Sequence, residues 1–372
     1  MTILYSILHF LVDGVCAFAM FGYFAGKSDW YLNMLLYNFC AFAMQMPLGV
    51  ALDYLNSQSK KRKLSPSYCF AGVGALCTLI GAMVHPVLLG LGNALFHLGG
   101  GVGTIYEDRK KGWRGRGLGV FVAPGALGLY IGTQLGKVKA GGLWPVMVAI
   151  IMVGICLFGR RLLCRDAKVG DTLAGSHEGA GKLCVEKSPG LLVKSAEENG
   201  AGYGLLLLGC MAVVVLRSYI GMAVTFSWKT TLLAGTTAVL AVVLGKVAGG
   251  FCAVWLGTRR TTIVSLGLAA VLYLLSDNMF AGIVALFLFN MTMPITLYLL
   301  VERKKEMPGF AFGALTFAIF LGILPVYLEM VLPVSGNIIG CVGSLVSLVV
   351  LWLCAGEKPT ESTCIGVDGE DG

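Results

Sequence analysis

The chain has 372 residues, 57% of them hydrophobic and 13% charged, with a formal net charge of +8. Such a balance excludes a soluble globular domain. The positive excess lies between apolar stretches, so it reads as membrane topology and not as nucleic-acid binding.

Twelve apolar stretches follow one another, over approximately 3–24, 30–53, 67–86, 87–107, 115–137, 142–159, 202–228, 231–256, 261–277, 279–301, 309–331 and 335–355. A bilayer core of roughly 30 Å takes about 20 helical residues to cross, so each stretch reads as one crossing. Of the 28 Lys and Arg, 22 lie in every second gap or in the tail, as in Lys60–Lys63 and Arg109–Arg116. The alternate gaps hold Lys27, Lys137, Lys139 and Lys229. Basic residues are retained on the cytoplasmic side, which places both termini there, in a plasma membrane. The first stretch has no basic flank and is interrupted by Asp13, so a cleaved signal peptide is not expected. The twelve Cys are spread singly, without metal-ligand spacing, and all six Trp fall near span ends or in a short loop, at headgroup level.

The longest gap, 160–201, is rich in Gly, Lys and Glu and reads as a cytoplasmic linker, with a surface helix near Leu191–Ala196. Residues 1–159 and 202–355 are then two six-helix halves, and 356–372 an acidic tail. Weak internal repetition fits that division. Gly49-x-x-x-Asp53 closes the second stretch, and Gly250-x-x-x-Val254-x-x-Gly257-x-Arg259-Arg260 closes the eighth.

The polar residues sort by stretch. His9 and Asp13 lie in the first, Asn38 and Gln45 in the second, Asn93 and His97 in the fourth, and Gln134 in the fifth. Arg217 lies in the seventh, Lys246 in the eighth and Asn290 in the tenth. The third, sixth, ninth and twelfth interiors carry no charged, His, Asn or Gln residue. Polar groups are costly against lipid, so every third helix is expected at the periphery.

This pattern resembles the major facilitator superfamily, in which helices 1, 4, 7 and 10 line a central cavity. The Gly49/Asp53 and Gly257/Arg259/Arg260 segments are similar to two degenerate copies of that superfamily's loop signature. His9-Phe10-x-x-Asp13, Gly92-Asn93-Ala94-Leu95-Phe96-His97 and Arg217-Ser218-Tyr219 resemble the fosmidomycin-resistance branch of drug exporters. The Gly-rich fifth stretch, with Pro124, Gly125, Gly128 and Gly132, is similar to that of proton-coupled exporters. The resemblance implies an all-α membrane protein, with twelve helices in two pseudo-symmetric halves, that exports a small amphipathic or anionic compound against protons.

Asp13 lies about 15 Å and Arg217 about 22 Å along their helices at 1.5 Å per residue. Opposite charges at matching positions should find each other or a shared substrate. They read as a gate between the halves, or as a static buried ion pair. Lys246 reads as an anion or proton group, or as the partner of a backbone carbonyl, Gln45 or Gln134. His97, with Asn93 beside it, could bind substrate or carry the proton, and Asn290 could bind substrate or only join helices. His9 could simply meet interfacial water. Glu329 reads as an outer-rim residue, Gly125, Gly128, Gly132 and Gly136 as close packing, and Pro47, Pro124, Pro294 and Pro325 as kinks.

The leading reading is a monomeric secondary transporter working by alternating access, with substrate, protons and lipids as partners. Neither metal nor cofactor is expected, and no Gly-x-x-x-x-Gly-Lys-Ser/Thr motif suggests direct use of ATP. Uptake, lipid flipping, a membrane-embedded enzyme and a non-transporting receptor stay open as alternatives.

Overall fold

The computed structural model describes residues 1–58, 64–175 and 192–354. Among them the chain is helical throughout, with no strand. We number the helices α1 (Thr2–Phe24), α2 (Trp30–Ser57), α3 (Pro66–Val84), α4 (Pro86–Lys110), α5 (Arg116–Lys137) and α6 (Trp144–Gly175). There follow α7 (Leu192–Ala223), α8 (Leu232–Trp255), α9 (Thr258–Leu274), α10 (Met279–Arg303), α11 (Pro308–Tyr327) and α12 (Gly336–Cys354). Eleven of these are long and apolar enough to cross a membrane. The other, α9, has 17 residues, about 25 Å at 1.5 Å per residue, close to the thickness of a thin bilayer. The chain is a multi-pass membrane protein.

Helix starts are encoded locally. Ser65 accepts a hydrogen bond from Tyr68 N, with Pro66 at the first helical position of α3. Thr231 caps α8 through Ala234 N, and Asn278 caps α10 through Phe280 N and Ala281 N. Two interruptions lie beside prolines, whereas the π-helical turn Met20–Phe24 that ends α1 has none near it. A π-helical turn at Phe39–Ala43 precedes Pro47 in α2. Helix α10 breaks at Met291, where Pro294 offers no N–H to Asn290 O.

The polar gap 160–201 is more helical than its composition suggests. Helix α6 continues to Gly175, and α7 begins at Leu192. The surface helix expected near 191–196 is therefore the first part of α7. Extending a formed helix needs no new nucleus, so polar residues join it at low cost. Residues 59–63, with the Lys60–Lys63 run, 176–191 and the tail lie outside the described residues.

Packing orders the bundle. The apolar window of α4 is 78% buried and that of α6 only 11%, which sets α4 at the centre and α6 outside. Helix α7 departs from the one-in-three rule: its window is 22% buried although it carries Arg217, because a cavity lies beside it. Helices α1 and α5 approach closely through glycine, so that a Cβ at Gly128 would lie 2.0 Å from Phe10 O. The first six helices meet the last six along two seams, α2 on α11 and α5 on α8. Alternation of direction puts the start of α1 and the end of α12 at one end of the bundle, the terminal end.

Candidate functional site

One turn of α1 brings His9 and Asp13 onto the same face. One turn of α4 does the same for Asn93 and His97. The two faces meet at the bundle centre, and the four side chains form one hydrogen-bonded cluster. Asn93 Nδ2 donates to Asp13 Oδ1 at 3.0 Å. His9 Nε2 lies 3.2 Å from Asp13 Oδ2, and His97 Nε2 lies 3.5 Å from Asp13 Oδ1. The two imidazole Nε2 atoms are 2.8 Å apart. Gly125 of α5 makes room for them: a Cβ there would stand 2.2 Å from His9 Nε2 and 2.5 Å from Asp13 Oδ2.

Donor counting narrows the hydrogen positions that this arrangement accommodates. His9 Nδ1 lies 2.7 Å from Phe121 O, and His97 Nδ1 lies 2.9 Å from Asn93 O. A carbonyl only accepts, so each Nδ1 carries a hydrogen. A neutral imidazole so arranged has only a lone pair at Nε2. Two lone pairs 2.8 Å apart would repel, so the contact has the geometry of an N–H···N hydrogen bond with one proton between the rings. Asp13 faces both nitrogens and is placed to be the counter-ion of a pair that holds such a proton. Side-chain exposures of 6% for His9, 11% for His97 and 16% for Asp13 leave a narrow accessible face at the carboxylate. The same three side chains offer ligand atoms within 4.8 Å of one another, a set that could hold a metal ion. Nitrogens bound to one metal at about 2.0–2.1 Å in tetrahedral geometry stand more than 3 Å apart. The shorter 2.8 Å separation suits a proton.

Helix α5 connects this cluster to α8. Pro124 has no N–H, which frees Val120 O from its helical bond. Ser6 Oγ of α1 lies 3.2 Å from Val120 O. The next carbonyl, Phe121 O, accepts from His9. The one after, Val122 O, accepts from Lys246 Nζ at 3.4 Å. Three successive carbonyls beside Pro124 are thus held by α1 on one side and α8 on the other. Among the alternatives for Lys246, the structure shows the backbone carbonyl; Gln45 instead donates to Ala41 O.

Arg217 is elsewhere. In this conformation Asp13 is held by His9, His97 and Asn93, and no ion pair with Arg217 is formed. Arg217 is 9% exposed, and its Nη1 has no hydrogen-bond partner. It lines a cavity of about 690 Å³ formed by α5, α7, α8 and α10. Asn290 and Gln134 line it too, whereas Asp13, Asn93, His97 and Lys246 do not. Asn290 Nδ2 donates to Leu286 O at 2.8 Å, within its own helix. The cavity thus sits at the α5–α8 seam, and the polar cluster of α1 and α4 is packed beside it. His9 does not meet interfacial water; it is 5% exposed.

The loop-signature residues act at the terminal end. Asp53 accepts from Gly309 N and Phe310 N, both at 2.8 Å, and so caps α11 across the α2 seam. A carboxylate there also meets the positive end of the helix dipole. Gly49 lets the backbones touch, since its Cβ would lie 2.2 Å from Gly309 O. Gly257 opens α9 at a φ of +83°, and the Arg259 guanidinium stacks 4.9 Å from the Trp352 ring. Arg260 is exposed. Arg109, counted above as a loop cation, and its neighbour Asp108 turn out to be structural. Asp108 accepts from Gly115 N at 2.6 Å and Gly117 N at 2.7 Å, and Arg109 donates to Val301 O and Lys305 O across the bundle. The Asp108 role was visible only as a carboxylate seven residues before a helix start. Glu329 is exposed just beyond α11.

This arrangement of twelve helices is the major facilitator fold. A crystal structure titled as a Major Facilitator Superfamily transporter, FucP, in the outward conformation, has a TM-score of 0.56 and 12% identity over 94% of this chain and 97% of its own. A variant of the E. coli fucose:proton symporter FucP has a TM-score of 0.54 and 12% identity over 96% and 98%. At that identity the likeness is one of fold. No protein-family model and no curated protein sequence matches the chain.

Proposed function

We propose that the chain is a proton-coupled secondary transporter that carries a small amphipathic or anionic compound by alternating access. The carrying observation is the 2.8 Å contact between His9 and His97 Nε2, which needs one proton, opposite Asp13. In this reading Asp13, His9 and His97 hold the proton, and Asn93 orients the carboxylate. Loss of the proton leaves two facing lone pairs, so the rings must part and α1 must shift against α4 and α5. The halves 1–159 and 202–355 then rock about the seams, with the Asp53 cap on α11 breaking as the terminal end opens. Positive-inside charge supports cytoplasmic termini in a plasma membrane, and the loop and branch resemblances support outward exchange against protons. Uptake by symport is the second reading, favoured by the fold likeness to a protein titled a fucose:proton symporter.

Proteoliposomes loaded with a pH-sensitive dye test the proposal. A pH gradient is imposed, and a panel of permanently ionised amphipathic anions, naphthalene-2-sulfonate among them, is supplied. Proton movement that depends on an anion and is lost in Asp13→Asn supports it. Opposite movement of proton and anion marks exchange, and parallel movement marks symport. Wild-type and Asp13→Asn vesicles that behave alike with every compound would overturn it.

A further inference from the structure

The cavity at the α5–α8 seam has a composition that the proton cluster does not explain. Three cations line it, Arg217, Lys137 and Lys229, and no carboxylate does. Lys137 and Lys229 are exposed at the end of the bundle opposite the termini, so they stand at the mouth. Arg217 lies inside, nine-tenths buried, with Nη1 unpartnered and no ion pair among the described residues. Between mouth and anchor the walls are largely apolar, with Ile220, Val239 and Phe289 among them. A buried guanidinium without a partner is an incomplete arrangement in a membrane protein. An anion completes it, and planar paired donors suit sulfonate, phosphonate or carboxylate oxygens. A bare inorganic anion would leave the apolar walls unfilled. A volume of about 690 Å³ lies within the range of small-molecule sites.

We propose that this cavity seats a soluble amphipathic anion, its ionised head on Arg217 and its apolar body along α7, α8 and α10. The seat deepens the transporter reading and rests on it only for the statement that the anion is cargo. Steering by Lys137 and Lys229 at the mouth makes the on-rate fall with salt.

The test is calorimetric binding to purified protein in phosphatidylcholine nanodiscs, with no gradient. The probes are naphthalene-2-sulfonate and its uncharged counterpart, methyl 2-naphthyl sulfone. Wild type should bind the sulfonate at least tenfold more tightly than the sulfone, and Arg217→Gln should remove that preference. Should Arg217→Gln fail to fold, Gly221→Phe decides. Gly221 lines the cavity, and a Cβ there meets nothing within 4 Å, so the ring enters open space and should abolish binding. Absence of any anion preference in wild type, or wild-type affinity in Gly221→Phe, overturns the seat. Phosphatidylglycerol nanodiscs that abolish sulfonate binding would assign the site to a lipid headgroup and overturn a soluble ligand. Proton-driven flux without sulfonate binding sinks the seat and leaves the transporter. Binding without any proton-driven flux does the reverse.

Discussion

Replacing Asp13 by Asn tests the shared proton most directly. The carboxylate faces both Nε2 atoms, at 3.2 and 3.5 Å, and accepts from Asn93 at 3.0 Å. Asparagine has nearly the same shape, so packing of α1 on α5 is retained. What changes is charge: the protonated imidazole pair is left buried without a counter-ion. Removing one partner of a buried pair costs about 3–5 kcal/mol. At 1.36 kcal/mol per decade, that lowers affinity for the shared proton by roughly 2.2 to 3.7 decades. The asparagine oxygen recovers part of this by accepting one hydrogen bond, worth about 0.5–1.5 kcal/mol. A loss of at least tenfold therefore remains.

The assay is dye-reported proton movement in proteoliposomes with the sulfonate probe, alongside insertion yield and thermal stability. Asp13→Asn should insert, and should lose proton-driven movement by tenfold or more. Asp13→Glu keeps the charge and should restore part of it. Undiminished proton-driven movement in Asp13→Asn would falsify the assignment, because the shared cation would then need no carboxylate.

Nitrogen-15 NMR of labelled histidine reads the tautomers themselves, and the chain has only four His. His9 and His97 should both keep hydrogen on Nδ1, with one imidazolium between them; Nε2–H in both neutral rings contradicts the geometry. Gly125→Ala should place a methyl against His9 and Asp13, which are side-chain ends that can yield, so coupling should fall while the fold stays. Gly128→Ala should instead meet Phe10 O of the α1 backbone and cost about 1–3 kcal/mol of stability. Equal loss of stability in the two variants would argue against a specific role for Gly125. Asp53→Asn removes one of two acceptors that hold Gly309 N and Phe310 N. Hydrogen bonds to a charged group contribute about 1.5–3 kcal/mol, so amide exchange at 309–310 should quicken by at least tenfold. Amides at the Thr231 cap serve as the control, and unchanged exchange at 309–310 would show that the cap is not what closes that end.

Much of the bundle was legible because crossing a bilayer imposes length and composition on each helix separately. The α2 stretch at 30–53 and the helix Trp30–Ser57 share a start, as do α10's 279–301 and Met279–Arg303. Ends were less legible where apolar chain leaves the helix. The stretch to 228 stops as helix at Ala223, and the one to 331 stops at Tyr327, two residues beyond Pro325. Within the site, the i, i+4 pairs His9/Asp13 and Asn93/His97 could be placed on single faces. What could not be read was which face meets which, since that depends on helix crossings set by glycines such as Gly125 and Gly128. The partners that Asp13 has in this conformation were hidden for that reason. Matching positions in two repeats fix a similar depth and leave open which side chains meet in a given conformation.

The separation of Asp13 from Arg217 changes what coupling requires. Had they been paired, proton and anion would compete directly for one another's partner. As they stand, a signal must pass between them, and α5 is one element that touches both places. Its face toward α1 holds Gly125 and Phe121 O against the proton cluster, and its Gln134 and Lys137 line the cavity. Pro124 lies between these two regions and removes one rung of the helix. The three carbonyls beside it are tied to Ser6, His9 and Lys246, so motion of His9 on proton loss pulls on Phe121 O directly. A missing rung lets a helix bend at that place more readily than elsewhere. Restoring the rung by Pro124→Ala should therefore leave sulfonate affinity near wild type and weaken its dependence on pH. Affinity that keeps the wild-type pH dependence in Pro124→Ala would mean that the two sites communicate by a route other than α5.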